Sequence, residues 1–166
     1  RAACAPTDVK TIGIIGTEAT INSRSYYKKI KEHDKNIKII DKTCSLFVPL
    51  IEEGLFNHNI AAKIVQMYFD KNFCHQIDTL ILGCTHYPLI ESKISSFYKK
   101  NVKIISALKY IGADVEEELK NKNLLNPKRR TPKHHFYVSD YTKHFQQKTK
   151  LFFSTAIILE EENIFS

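Results

Sequence analysis

The chain has 166 residues, 43% hydrophobic and 26% charged, with 25 Lys and Arg against 18 Asp and Glu for a formal net charge of +7. That length carries one domain with a real core, or one domain and an appendage, and the composition is ordinary for a soluble globular protein. No apolar run approaches a membrane span, the start Arg1-Ala2-Ala3-Cys4-Ala5-Pro6 lacks signal-peptide form, and four scattered cysteines do not form a secreted disulfide pattern.

The elements alternate strand and helix. Thr11 to Gly16 is a short apolar run ending in glycine and reads as a buried strand. Thr17-Glu18-Ala19-Thr20 reads as a loop, and Asn22 or Ser23 caps a helix running to His33. Asn36 to Ile40 is a second strand, followed by the apolar helical stretch Leu46 to Gly54 with its paired Glu52 and Glu53. Paired glutamates are usually a solvated helix end, but this apolar lead-in places one of them in a less watery setting. The next helix runs from His58 to Phe73 with Ile60, Ala61, Ile64, Val65 and Tyr68 on its core stripe, and Cys74 at its end reads as buried filler.

Thr79 to Leu82 is the third strand and runs into Gly83-Cys84-Thr85-His86-Tyr87-Pro88, where the proline opens a helix ending near Lys100. Val102 to Ile105 is a fourth strand, and Ala107 to Lys120 a helix with Leu108, Ile111, Val115 and Leu119 turned inward. The basic run Pro127 to Lys133 is bounded by prolines and reads as a solvated loop rather than a nucleic-acid surface. A last strand, His134 to Val138, and a last helix, Thr142 to Ser154, precede the apolar Ala156-Ile157-Ile158-Leu159. Repeated βα units imply an α/β fold with a mostly parallel sheet sandwiched by helices.

The chemistry concentrates at Cys84. A thiol at the carboxyl end of a buried strand and the start of a helix is set up to ionise, and ligands of open α/β sheets bind at that end. Three readings compete: a buried filler cysteine, a zinc ligand, and an acid/base or nucleophilic thiol. Zinc is disfavoured because there is no C-x-x-C pair, and Cys74-His75 and His134-His135 lack ligand spacing. For the third, Gly83 admits a substrate closely, the hydroxyl and amides after it hold a carboxylate, and His86 tunes or assists the thiol.

The segment Leu80-Ile81-Leu82-Gly83-Cys84-Thr85-His86-Tyr87-Pro88-Leu89 closely resembles the second cysteine signature of bacterial glutamate racemases. Ile12 to Thr20 resembles that family's G-V-I-G-T-x-A-T segment, and Phe47 to Gly54 its F-V-P-L-V-E-E-G segment. The resemblance implies a cofactor-independent, cytoplasmic isomerase that interconverts L- and D-glutamate with two cysteines, one on each face of the α-carbon, and supplies D-glutamate for peptidoglycan. It makes Cys84 the second thiol, His86 the histidine assisting it and Glu52 the associated carboxylate. Thr85 and His86 are expected to contact substrate, with Thr17 and Thr20 as neighbours, and no metal or cofactor is implied.

The family's amino-terminal Asp-Ser motif and first A-C-N-T cysteine are absent from these residues. Cys4 lies too close to the Ile12 strand to replace that cysteine and reads as non-catalytic. The chain, which begins without methionine, thus resembles the carboxyl-terminal part of a racemase, whether processed, truncated or partial. On this reading residues 1–122 are the carboxyl-terminal-type domain, with 1–10 a remnant of the interdomain linker. Residues 123–133 are the basic loop, and 134–166 a strand-helix tail that belongs to a missing second α/β domain. That missing domain is the implied partner, and a homodimer is also open. The alternatives are another amino-acid racemase of the aspartate/glutamate superfamily, or a non-catalytic module binding an acidic metabolite or a macromolecule. His86 favours the glutamate enzymes, since aspartate racemases typically carry a glutamate there.

Overall fold

A computed structural model describes residues 3–4, 9–69, 73, 77–99, 101–126, 133–153 and 155–163. They fall into two compact units, Arg1–Lys122 and Asn123–Ser166. Cys74, His75 and most of the basic run lie outside the described residues.

The first unit is built on a four-stranded parallel sheet of β1 (Thr11–Gly16), β2 (Lys38–Thr43), β3 (Thr79–Leu82) and β4 (Lys103–Ser106), in the order β2-β1-β3-β4. Helices among the described residues include α1 (Glu18–Asn22), α2 (Ser25–His33), α3 (Phe47–Glu52), α4 (Asn59–Tyr68), α5 (Glu91–Phe97) and α6 (Leu108–Asn121). Every residue of β1 and of β3 is buried, as expected of central strands covered on both faces. Two apolar clusters result. One gathers Phe47, Leu50, Ile51, Ala61, Val65, Leu80, Tyr87, Ile90 and Ile94; the other gathers Ile12, Ile14, Ile30, Ile37, Ile81 and Ile105. Each such aliphatic or aromatic side chain contributes about 1.5–3 kcal/mol on full burial.

Asp78 ties the strands together at their amino ends. Its Oδ2 accepts from the amides of Lys10 and Thr11, both at 2.8 Å, its own amide donates to the Thr11 carbonyl at 3.0 Å, and its carbonyl accepts from the Lys103 amide at 3.0 Å.

Several sequence expectations need correction. Thr17 to Thr20 is not an open loop: Thr17 caps α1, its Oγ1 accepting from the Thr20 amide at 3.4 Å. The helix expected after a cap at Asn22 or Ser23 runs from Ser25 to His33; Arg24, just before it, sits at φ 55, and Ser23 Oγ accepts from the Ser25 amide at 3.2 Å. Strand β2 continues to Thr43, since an edge strand tolerates the polar Asp41-Lys42-Thr43. His58 is the cap of α4 rather than its first residue, and Ile60 beside it is exposed. After Cys84 the chain makes a 3-10 turn, Tyr87–Ile90, before α5 begins at Glu91, so the thiol does not sit on an α-helix terminus. On α6 the stripe Leu108, Ile111, Val115 and Leu119 is exposed in the described structure, not turned inward. Periodicity identifies an apolar face but not what covers it.

Glycine geometry decides two turns. Gly54 stands at φ 74 just past α3, where its amide donates to the Ile51 carbonyl at 2.9 Å and ends the helix. Gly83 is required by space rather than by dihedral: a Cβ there would lie 2.8 Å from the Ile15 carbonyl oxygen.

In the second unit, β5 (Phe136–Val138) and β6 (Leu159–Glu161) pair in parallel. Helix α7 (Lys143–Lys148) is capped by Thr142, whose Oγ1 accepts from the Phe145 amide at 3.1 Å, and continues as a 3-10 turn rather than an α-helix to Ser154. Leu159 is buried, whereas Tyr137, Phe145, Phe152, Phe153 and Ile158 are exposed.

Candidate active site

In the sheet order the chain leaves β1 toward β2 on one side and returns as β3 on the other, so the carboxyl ends of β1 and β3 flank a topological switch point. Gly16-Thr17 follows one strand and Gly83-Cys84 the other, and the Gly83 amide donates to the Ile15 carbonyl at 2.7 Å. With hydrogen in place of Cβ, Gly83 lets Thr20 and Tyr26 close in: its missing Cβ would be 3.2 Å from Thr20 Cγ2 and 3.3 Å from Tyr26 Cε2. The two threonines are joined by a 3.0 Å contact between hydroxyls.

Cys84 is partly buried, and its Sγ lies 3.8 Å from His86 Nδ1. The other ring nitrogen, Nε2, lies 3.3 Å from Glu52 Oε1. Thiol, imidazole and carboxylate therefore form a line from β3 to the end of α3. The Glu52 side chain is 46% exposed, so the drier setting expected for it from the apolar lead-in is not found. Thr85 is exposed beside the thiol.

The line depends on how α3 is seated. Phe47 packs edge-on against Tyr87 at 5.2 Å between centroids, and the Tyr87 hydroxyl donates to the Cys44 carbonyl at 3.0 Å. Burial, reinforced by the neighbouring Cys44, Cys84 and Tyr68 groups, pushes the Tyr87 phenol far above its ordinary value, so it stays a neutral donor. Cys44 is fully buried, and burial lifts its thiol to about 12 against a small opposing pull from Lys42, which leaves it inert. The structure thus brings together Glu52, Cys84 and His86, with Thr17, Thr20 and Thr85 around the same strand ends.

Tyr26 was not anticipated from sequence. It borders a cavity of about 70 Å³ with Cys84, Thr85 and Ser106. Its only sequence signal was an aromatic residue on a helix with little else to bury.

No protein-family model matches the chain. Curated relatives do: one from Thermoanaerobacter sp. (strain X514) is 46% identical over 130 residues, 78% of this chain and 49% of the relative. Another, from Chlorobium phaeobacteroides, is 37% identical over 143 residues, 86% of this chain and 53% of the relative. Both are glutamate racemases. The chain is similar to glutamate racemases over about half of their length. Solved structures agree: glutamate racemase isoform RacE1 from Bacillus anthracis superposes with a TM-score of 0.88 at 30% identity, covering 99% of this chain and 61% of that one. The Francisella tularensis glutamate racemase, solved in complex with D-glutamate, gives 0.82 at 33% identity over 93% of this chain and 57% of that one. The α/β architecture with helices flanking a parallel sheet is that of these racemases.

Among the described residues no group of three His, Cys, Asp or Glu side chains is arranged to hold a metal ion, and no helix is long and apolar enough to cross a membrane.

Proposed function

We propose that this chain carries one half of a glutamate-racemising site, the half that belongs to the carboxyl-terminal part of the racemases. The observation behind the proposal is the line Cys84–His86–Glu52 at the carboxyl end of β3. With its Nε2–H donated to Glu52, His86 turns the lone pair of Nδ1 toward the Cys84 thiol. Transfer of the thiol proton to Nδ1 then leaves a thiolate beside an imidazolium, and the carboxylate stabilises that cation.

The α-proton of an amino acid is a weak acid, so the thiolate must meet it in a preorganised, largely dry site. Cys84 takes the proton from one face of the α-carbon. The electron pair stays on the carbon, delocalised into the carboxylate, and an opposing thiol returns a proton to the other face. For the other enantiomer the two sulfurs exchange roles, because the reverse reaction passes through the same states. No cofactor is required. Thr17, Thr20, Thr85 and His86 are assigned to the substrate side of the site, and Glu52 to support of the histidine.

The opposing cysteine is assigned to a second α/β domain, with residues 134–166 as the strand and helix that complete it. We place the whole enzyme in the cytoplasm, supplying D-glutamate for peptidoglycan, and leave homodimerisation open to test.

The test combines this chain with the amino-terminal half of a related racemase in deuterium oxide. Deuterium should enter the α-position of L- and of D-glutamate. Cys84→Ser should abolish this, and Cys4→Ala should leave it nearly intact. Turnover that survives loss of Cys84 would sink the proposal.

A further inference from the structure

Two tyrosines feel the charge of Cys84. Burial is the main cause that raises the pKa of each phenol, and the Cys84 thiol adds to it. They differ in what their hydroxyls do. Tyr87 donates to the Cys44 carbonyl at 3.0 Å, whereas the Tyr26 hydroxyl makes no hydrogen bond among the described residues. Its ring edge packs against Gly83, 3.3 Å from where a Cβ would stand. Its phenol borders the cavity of about 70 Å³ that Cys84, Thr85 and Ser106 share. A space of that size accepts one or two waters or one polar substituent of a ligand.

We propose that Tyr26 is a positioning residue for the Cys84 thiol, its ring bracing the backbone at Gly83 and its hydroxyl offering the sulfur a neutral donor from α2 through one water in the shared cavity. The inference rests on Cys84 being the reacting thiol. It adds a support from a different element than His86 and Glu52, which reach the sulfur from its own loop and from α3. A neutral O–H suits this task, because it stabilises negative charge on sulfur without adding a charge of its own. Charged groups line two other cavities that Tyr26 also borders: Lys29, Asp114, Glu117 and Glu118 one of about 750 Å³, and Arg24 and Asp41 the other.

The experiment measures iodoacetamide modification of Cys84 in the full chain against pH, read on the Cys84 peptide by mass spectrometry, for the native chain, Tyr26→Phe and Tyr87→Phe. Phenylalanine at 26 keeps the ring against Gly83 and removes only the donor, and circular dichroism checks that each variant is folded. The Tyr26→Phe profile should move upward by roughly one pH unit, a loss of about tenfold in rate below its midpoint. Tyr87→Phe should leave the midpoint in place, since its hydroxyl is committed to Cys44. Superimposable profiles for Tyr26→Phe and the native chain would overturn the inference, as would an equal shift in Tyr87→Phe, which would mark a general loosening. Deuterium incorporation tests the racemase reading separately, so failure of either is recognised on its own.

Discussion

Replacing Gly83 with alanine tests how the half-site is held. The residue lacks a left-handed φ, so alanine meets no dihedral penalty and even gains a little from a stiffer unfolded chain, about 0.5–1 kcal/mol. Against that stands the new methyl group. It would lie 2.8 Å from the Ile15 carbonyl oxygen, 3.2 Å from Thr20 Cγ2 and 3.3 Å from Tyr26 Cε2. The two side chains can give by a few tenths of an ångström, but the carbonyl belongs to a fully buried strand and accepts the 2.7 Å bond from the Gly83 amide. Relief therefore means prising β1 from β3 at their carboxyl ends, weakening that bond, for a typical overpacking cost of about 1–3 kcal/mol. After the gain is subtracted, a net loss of up to about 2.5 kcal/mol remains, which at about 1–3 kcal/mol per M of urea lowers the midpoint by up to about 2.5 M. Iodoacetamide modification of Cys84 should change in the same variant, because the thiol follows Gly83 directly. Stability and reactivity both equal to those of the native chain would refute the idea that this close approach positions the thiol.

Four further outcomes are expected. Glu52→Gln should slow both Cys84 alkylation and deuterium exchange in the reconstituted enzyme while leaving the free energy of urea unfolding within about 0.5 kcal/mol of native, because the side chain is half exposed; an unchanged rate would remove Glu52 from the site. Phe47→Ala should cost about 3–5 kcal/mol in urea unfolding, since Phe47 is fully buried against Tyr68, Phe69 and Tyr87. Cys44 ionises near 9 when unfolded and near 12 when folded, so its contribution to stability is present below pH 9 and lost as pH rises toward 12; urea midpoints at pH 8 and pH 10.5 should fall less in Cys44→Ala than in the native chain. Ile111→Ser with Val115→Ser on exposed α6 should reduce self-association in analytical ultracentrifugation, and equal sedimentation of variant and native chains would show that this face is not what drives association.

The strands were legible because buried parallel strands are written as short apolar runs, and Thr11 to Gly16 and Thr79 to Leu82 contain little else. The candidate site was legible by another route: Cys84 stands at a strand end, and the resemblance to racemases pointed to His86 and Glu52, which stand in line with the thiol through contacts of 3.8 Å and 3.3 Å. What sequence does not carry is covering and closeness. The stripe Leu108-Ile111-Val115-Leu119 has the right period for a core face and is nevertheless exposed. The short helix after Thr17 was missed although Thr17 and Glu18 are a serviceable cap and first turn. Tyr26 went unnoticed because its meaning comes from Gly83, far away in the chain, and no local pattern joins them.

Asp78 gives the sheet a ruler. It pins the beginnings of β1, β3 and β4 with four hydrogen bonds, at the end remote from the thiol. Strand side chains alternate faces, so a slip of one residue would invert β3 and carry Gly83 about 3.3 Å along the sheet from Ile15. A carboxylate six residues before Cys84 thereby sets the height of its sulfur above the sheet. Alterations at the quiet end of this domain should consequently be felt in the chemistry at the other.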